Sequence, residues 1–214
     1  MAIQSEYDFV GGYNEKTNMG LLHVANHHIS PGKKQWTWGN GDFGQAWERN
    51  LTDEDGPYIE LMTGVYTDNQ PDFSWLQPYE EKTWSQYFMP YAEVGDVKNA
   101  SKDVIINLKV KNETASIIVY TTSEMNNLNV VLTNEKGAVL FNEKIKVSPE
   151  TPFKKTIKLD NIQTEILYLK IHSDDNRIVL DCNTQKKAKK SIPPAAEGAD
   201  EPKNISLIEQ LYLT

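Results

Sequence analysis

The sequence predicts an all-β protein built of two β modules in series and closed by a short C-terminal helix. Two observations carry this. From about Ser101 to Cys182 apolar residues recur at every second position in seven short runs. These are Ile106/Leu108/Val110, Ile117/Val119, Leu128/Val130/Leu132, Val139/Phe141, Ile157/Leu159, Leu167/Leu169/Ile171 and Ile178/Leu180. A period of two marks a strand with one face buried. Turn-forming clusters such as Asn134-Glu135-Lys136-Gly137 and Ser173-Asp174-Asp175-Asn176 separate the runs, at the spacing that a two-sheet sandwich requires.

Taken in order, residues 1–97 form the first module, which holds all five tryptophans, three of the four histidines and most of the glycines. Residues 98–185 are expected to form an immunoglobulin-like sandwich of about seven strands. Residues 186–203 read as a linker, because a Lys-rich run, Pro193-Pro194 and Gly198 follow one another without apolar periodicity. Asn204 is placed to cap a helix over 204–214, with Ile205, Ile208, Leu211 and Tyr212 at helical spacing.

The chain has 214 residues, 39% apolar and 24% charged, which is the composition of a globular protein with room for one large or two modest cores. Thirty acidic side chains against 22 basic ones give a net charge of −8. A field of that sign repels phosphate backbones, so nucleic acid is not expected as a partner. One cysteine, Cys182, allows no intrachain disulfide, and no paired-cysteine zinc spacing exists. No cofactor is expected. Met1 to Val10 lacks the basic start and apolar run of a signal peptide, and no apolar stretch reaches membrane-spanning length. No membrane partner is expected, and the compartment is left open.

Candidate site residues concentrate between His27 and Asp72. Trp36, Trp38, Asn40, Trp47 and Arg49 interleave flat aromatic faces with hydrogen-bonding groups and glycines. A pyranose needs that mixture, since one C–H face stacks on an aromatic ring while its hydroxyls need directional partners. For any one tryptophan the competing expectation is simple core filling. Trp38, followed by Gly39-Asn40-Gly41, is expected to be the exposed one, and Trp84, in the alternating run Thr83 to Phe88, to be core.

His23 and His27 would share a face if residues 21–28 were one strand. With no third ligand defined, His27 and His28 are read as polar contacts to a sugar and not as metal ligands. Glu60 lies in the apolar run Pro57-Tyr58-Ile59-Glu60-Leu61-Met62. Such flanks favour a raised carboxyl pKa suited to acid or base chemistry, against the alternative of a strand-edge carboxylate in water.

A wider pattern joins these residues. An apolar-Glu-apolar run at Glu60 is followed by Asn69-Gln70-Pro71-Asp72-Phe73, then by Leu76-Gln77-Pro78-Tyr79-Glu80-Glu81-Lys82-Thr83 and a strand ending Phe88-Met89-Pro90-Tyr91. This order is similar to the C-terminal end of aldose 1-epimerases (galactose mutarotases) and of the related β-galactosidase sandwich. Trp36 to Pro90 resembles a bacterial mutarotase-like domain of unknown function found ahead of tetratricopeptide repeats. The resemblance covers roughly Tyr7 to Glu93. It implies the C-terminal portion of a mutarotase-like β-supersandwich, ahead of the antiparallel sandwich and the short helix. It also implies that an N-terminal half and C-terminal helical repeats belong to a longer parent chain. By motif Glu60 matches the epimerase carboxylate that acts as base on the anomeric hydroxyl. Two departures stand out: His23, His27 and His28 lie too near Glu60 in sequence to match the family's catalytic histidines, and Tyr79 occupies the usual turn glycine.

Ring-opening epimerisation needs an acid and a base on opposite sides of the hemiacetal, and only the base has a candidate. The leading expectation is therefore a carbohydrate-binding module of a larger, multidomain bacterial protein. A sugar-acting enzyme fragment with Glu60 as acid or base is the alternative. A structural or interaction module is the third reading, because sandwiches host many unrelated functions.

Overall fold

The computed structural model describes residues 6–66, 76–159, 166–185 and 203. The linker read over 186–203 (Lys203 apart) and the helix read over 204–214 lie outside them. In chain order the elements are β1 (Phe9–Asn14), β2 (Met19–Val24), β3 (Gly32–Trp36), α1 (Asp42–Leu51), β4 (Glu60–Gly64), β5 (Tyr87–Ala92) and β6 (Asn99–Ala100). There follow β7 (Val104–Lys111), β8 (Thr114–Thr121), β9 (Met125–Asn134), β10 (Val139–Val147), β11 (Phe153–Lys158), β12 (Leu167–His172) and β13 (Ile178–Asn183). The fold is all-β, with one short helix among the described residues.

All seven apolar runs of the C-terminal module are strands, β7 to β13, and the two-residue β6 adds a short edge to β7. They form two antiparallel sheets, ordered β10-β9-β12-β13 and β11-β8-β7-β6. The chain crosses between the sheets after β8, returns after β10 and crosses again after β11. That is the Greek-key connectivity of an immunoglobulin-type sandwich. Every second residue points inward, as the period of two dictates. Val104, Ile106 and Leu108 of β7, Ala115, Ile117 and Val119 of β8, Leu128, Val130 and Leu132 of β9, and Leu167, Leu169 and Ile171 of β12 make up most of one core. Cys182, half-buried on β13, packs against it.

The run Val104-Ile105-Ile106 does not alternate in burial, because both faces of β7 are covered. Its second face, with Ile105 and with Tyr120 of β8, packs on a third sheet ordered β1-β2-β5. Leu22 and Val24 of β2 and Met89 and Tyr91 of β5 supply that second core, together with Val94 and Ala100. Asn107 donates from its side-chain amide to the Val94 carbonyl at 2.8 Å, fixing the segment after β5 beside β7. Gly20 is needed here, since a Cβ would stand 2.4 Å from the Tyr91 ring.

The described residues pack as two compact units. One comprises Tyr7–Ala25 with the described residues from Gln86 to Gln185, and the other the described residues of Asn26–Ser85. The two-sided apolarity of β7 and β8 draws β1, β2 and β5 into the unit that holds the sandwich.

Candidate functional site

Within the stretch Asn26–Ser85, β3 and β4 form a two-stranded antiparallel ribbon with Gly32 opposite Gly64 and Trp36 opposite Glu60. Directly opposed residues present their side chains on one face with Cβ atoms about 5 Å apart, so the Trp36 indole and the Glu60 carboxylate are neighbours. Just past the ends of the two strands, the Trp38 and Tyr58 rings lie 5.5 Å apart at 59°. Trp38 and Tyr58 lie just beyond the ends of β3 and β4, so the ladder itself places only Trp36 and Glu60 on a shared face.

A helix follows at once, which the sequence reading did not anticipate. Asp42 stands in its first turn and Arg49 in its last, each matching the helix dipole. Phe43, Trp47 and Leu51 recur every four residues along one side. That spacing was the available signal. Trp47 lies 6.3 Å from the Trp38 ring at 35°, and Phe43 meets Trp47 edge-on at 6.2 Å.

Gly44 sets the docking of this helix. A Cβ there would stand 2.1 Å from the Gly39 carbonyl oxygen and 2.5 Å from that of Trp38, backbone atoms that cannot swing aside. Gly44→Ala is therefore expected to be destabilising by about 1–3 kcal/mol, despite alanine's better helix propensity. It should also weaken the near-ultraviolet dichroism of the Trp38–Trp47 pair. A more stable variant with an unchanged aromatic spectrum would refute this account of the helix contact.

Exposure differs from the expectation. Trp36 is 40% and Trp47 43% exposed, whereas Trp38 is half-buried between Tyr58 and Trp47. Trp84 is not a core residue: it is 46% exposed and meets Tyr66 edge-on at 6.0 Å. Its run does not become strand until Tyr87. Glu60 is half-buried and Asn40 exposed, in the loop that joins Trp38 to α1.

Two sets of expected site residues stand elsewhere. Arg49 lies two positions from Trp47 on a helix turning 100° per residue, so it projects from the opposite side. His27 and His28 follow β2, which stops at Val24, so residues 21–28 are not one strand. Their rings are 3.9 Å apart in the turn before Gly32. The length of β3, ~13 Å at strand rise, separates that end of the ribbon from Trp36. His23 is buried on β2 and bonds Gln86 at 3.1 Å. Asp72 and Trp75 lie outside the described residues.

Sequence reasoning missed Tyr58 and Phe43 as ring partners, and also the burial of Lys33. The Lys33 ammonium donates to the Ser30 carbonyl at 2.6 Å, while the Ser30 hydroxyl meets Thr63 and the Gly64 carbonyl. Tyr79, in the place of the expected turn glycine, has φ 67, the left-handed region that favours glycine. Among the described residues no three His, Cys, Asp or Glu side chains converge as metal ligands would, and no helix is long and apolar enough to cross a membrane.

Two family models match the chain. Residues 2–91 match a domain of unknown function, DUF5107, and residues 99–181 match the second domain of YphG-like proteins. The gap between the two matches brackets the change of sequence texture near residue 97. Among solved structures the chain is similar to an endonuclease/exonuclease/phosphatase from Beutenbergia cavernae DSM 12333, with 14% identity and a TM-score of 0.32. That match covers 47% of this chain and 30% of the other. A likeness of that size carries no argument about fold or activity.

Proposed function

We propose that the Asn26–Ser85 unit binds a carbohydrate on the aromatic face built by Trp36, Trp38, Tyr58 and Trp47, with Glu60 accepting hydrogen bonds from its hydroxyls. The observation that supports this most is the pairing of Trp36 with Glu60 across one ribbon. It sets an open indole beside a carboxylate. Trp47 adds a second open indole from α1. Large exposed aromatics grouped in one place mark a binding surface more often than chance exposure does. Rings tilted 35° and 59° to one another do not stack into a closed core, and so leave flat faces for the C–H side of a pyranose.

All five tryptophans lie between Trp36 and Trp84, so intrinsic fluorescence reports this region directly. Titration with a panel of mono- and oligosaccharides is expected to quench it saturably. Trp36→Ala and Trp47→Ala should each weaken the response by about tenfold, the worth of one stacked ring. Glu60→Gln should weaken it less, because an amide oxygen still accepts. No quenching by any sugar, or quenching undiminished from the parent's in both tryptophan variants, with folding verified by circular dichroism, removes the reading.

A further inference from the structure

The sheet β10-β9-β12-β13 turns its other face to solvent, and that face holds an open basin of about 370 Å³. The volume is within the range of small-ligand sites. Four asparagines line it: Asn127 and Asn129 from β9, Asn142 from β10 and Asn176 from the turn between β12 and β13. The register sets Asn129 opposite Lys144 and Val131 opposite Asn142. These side chains therefore point away from Leu128, Val130 and Ile145, which enter the core.

Backbone conformation accounts for two of the four. Asn127 and Asn176 have φ of 64 and 61, the left-handed region that asparagine tolerates better than other side chains. Asn129 and Asn142 have no such reason. Both sit in regular strand positions, where asparagine is disfavoured and a β-branched residue would serve the sheet better. None of the four side-chain amides has a hydrogen-bond partner among the described residues. Each therefore keeps both donor and acceptor for a ligand.

The two charged residues that line the basin are paired with each other. The Lys144 ammonium donates to Asp174 at 2.8 Å. The Ser173 hydroxyl donates to Asp175 and the Arg177 carbonyl, and Ser173 and Arg177 together hold the Asp175 carboxyl below its usual range. Lys144 is the one cation among the residues that line the basin, and a phosphate would have to compete for it with the Asp174 carboxylate. A divalent ion would find one carboxylate, itself paired with lysine, where it needs several oxygen ligands. What the basin offers is neutral amide.

We infer that this basin binds an uncharged, hydroxyl-rich ligand, a mono- or disaccharide, held by the amides of Asn129 and Asn142 with Asn127 and Asn176 at its rim. The site shares no residue with the aromatic face and does not rest on it. Titrating the isotope-labelled full chain with glucose, galactose, mannose, N-acetylglucosamine, cellobiose and lactose should give saturable shifts of these asparagine side-chain amides in nuclear magnetic resonance. Inorganic phosphate and calcium chloride serve as charged controls. Threonine favours strands more than asparagine does, so the double variant Asn129→Thr/Asn142→Thr keeps the sheet. It is expected to bind at least about tenfold more weakly, the loss of one to two net hydrogen bonds. Trp36→Ala should leave the shifts unchanged. Shifts caused only by phosphate or calcium, shifts that survive the double variant, or none with any of these sugars would overturn the proposal.

Discussion

Leu169→Ala is expected to destabilise the protein by roughly 3–4 kcal/mol. Leu169 is completely buried at the centre of β12, a strand flanked on both sides, and its backbone neighbours across the ladder are Leu132 and Cys182. Facing it across the sandwich core are the inward residues of β7 and β8. A cavity cut there has no edge through which neighbours could relax, which puts the cost above the midpoint for a leucine truncation. Ile178→Ala supplies the control. Ile178 opens β13 and is 53% exposed, so the same deletion should cost well under about 1 kcal/mol. Urea denaturation followed by far-ultraviolet dichroism measures both. Comparable midpoint shifts for the two variants would mean that the β7–β13 sandwich is not the stabilising core.

The strands of that sandwich were legible because each buries one face, and burial on one face writes a period of two into the sequence. Ile117/Val119 and Leu167/Leu169/Ile171 could therefore be read directly. β7 shows where the rule weakens. With Ile105 packed on one sheet and Ile106 on another, its apolar residues run together, and a continuous run does not say which partner covers which face. The grouping of β1, β2 and β5 with the sandwich was invisible for that reason. It depends on pairings between Leu22, Met89 and Ile105, residues far apart in sequence that carry no mutual signature.

The candidate site was legible in composition but not in geometry. Trp36 and Glu60 were singled out for their chemistry, and their pairing came from the register of a ribbon whose strands are separated by a helix. Phe43-Gly44-Gln45-Ala46-Trp47 carries a ligand-like aromatic and polar content, and only the i, i+4 spacing of Phe43 and Trp47 marks it as helix. Arg49 is placed by that helix, since only a helix sends residues 47 and 49 to opposite sides. Trp38 was expected to be exposed because glycine and asparagine follow it. Those residues instead form the turn that brings α1, and with it Trp47, over the Trp38 ring. Nothing local to Lys33 reveals that the Ser30 carbonyl receives its ammonium in the interior.

Alkaline solution should unfold the protein through two particular groups. Burial, with smaller contributions from Tyr13 and then Asp96, pushes the Tyr91 phenol from 10.0 up to about 12. Burial, followed by the charge of Asp181, pushes the Cys182 thiol from 9.0 up to about 12. Both folded values lie above the unfolded ones, so the folded state holds the protons more tightly. The stabilisation is complete below pH 9 for the thiol and pH 10 for the phenol, and is lost as pH rises towards 12. In that window each group costs about 1.4 kcal/mol per pH unit. Tyr91→Phe keeps the ring that stacks on Tyr13 at 5.7 Å and should flatten the stability–pH curve by one proton's worth between pH 10 and 12. Cys182→Ala should do the same from pH 9. At pH 8 the thiolate fraction of Cys182 is ~10⁻⁴, so thiol reagents should modify it only as the chain unfolds. Rapid labelling of native protein at pH 8, or variant curves parallel to the parent's, would show that neither proton is held by the fold.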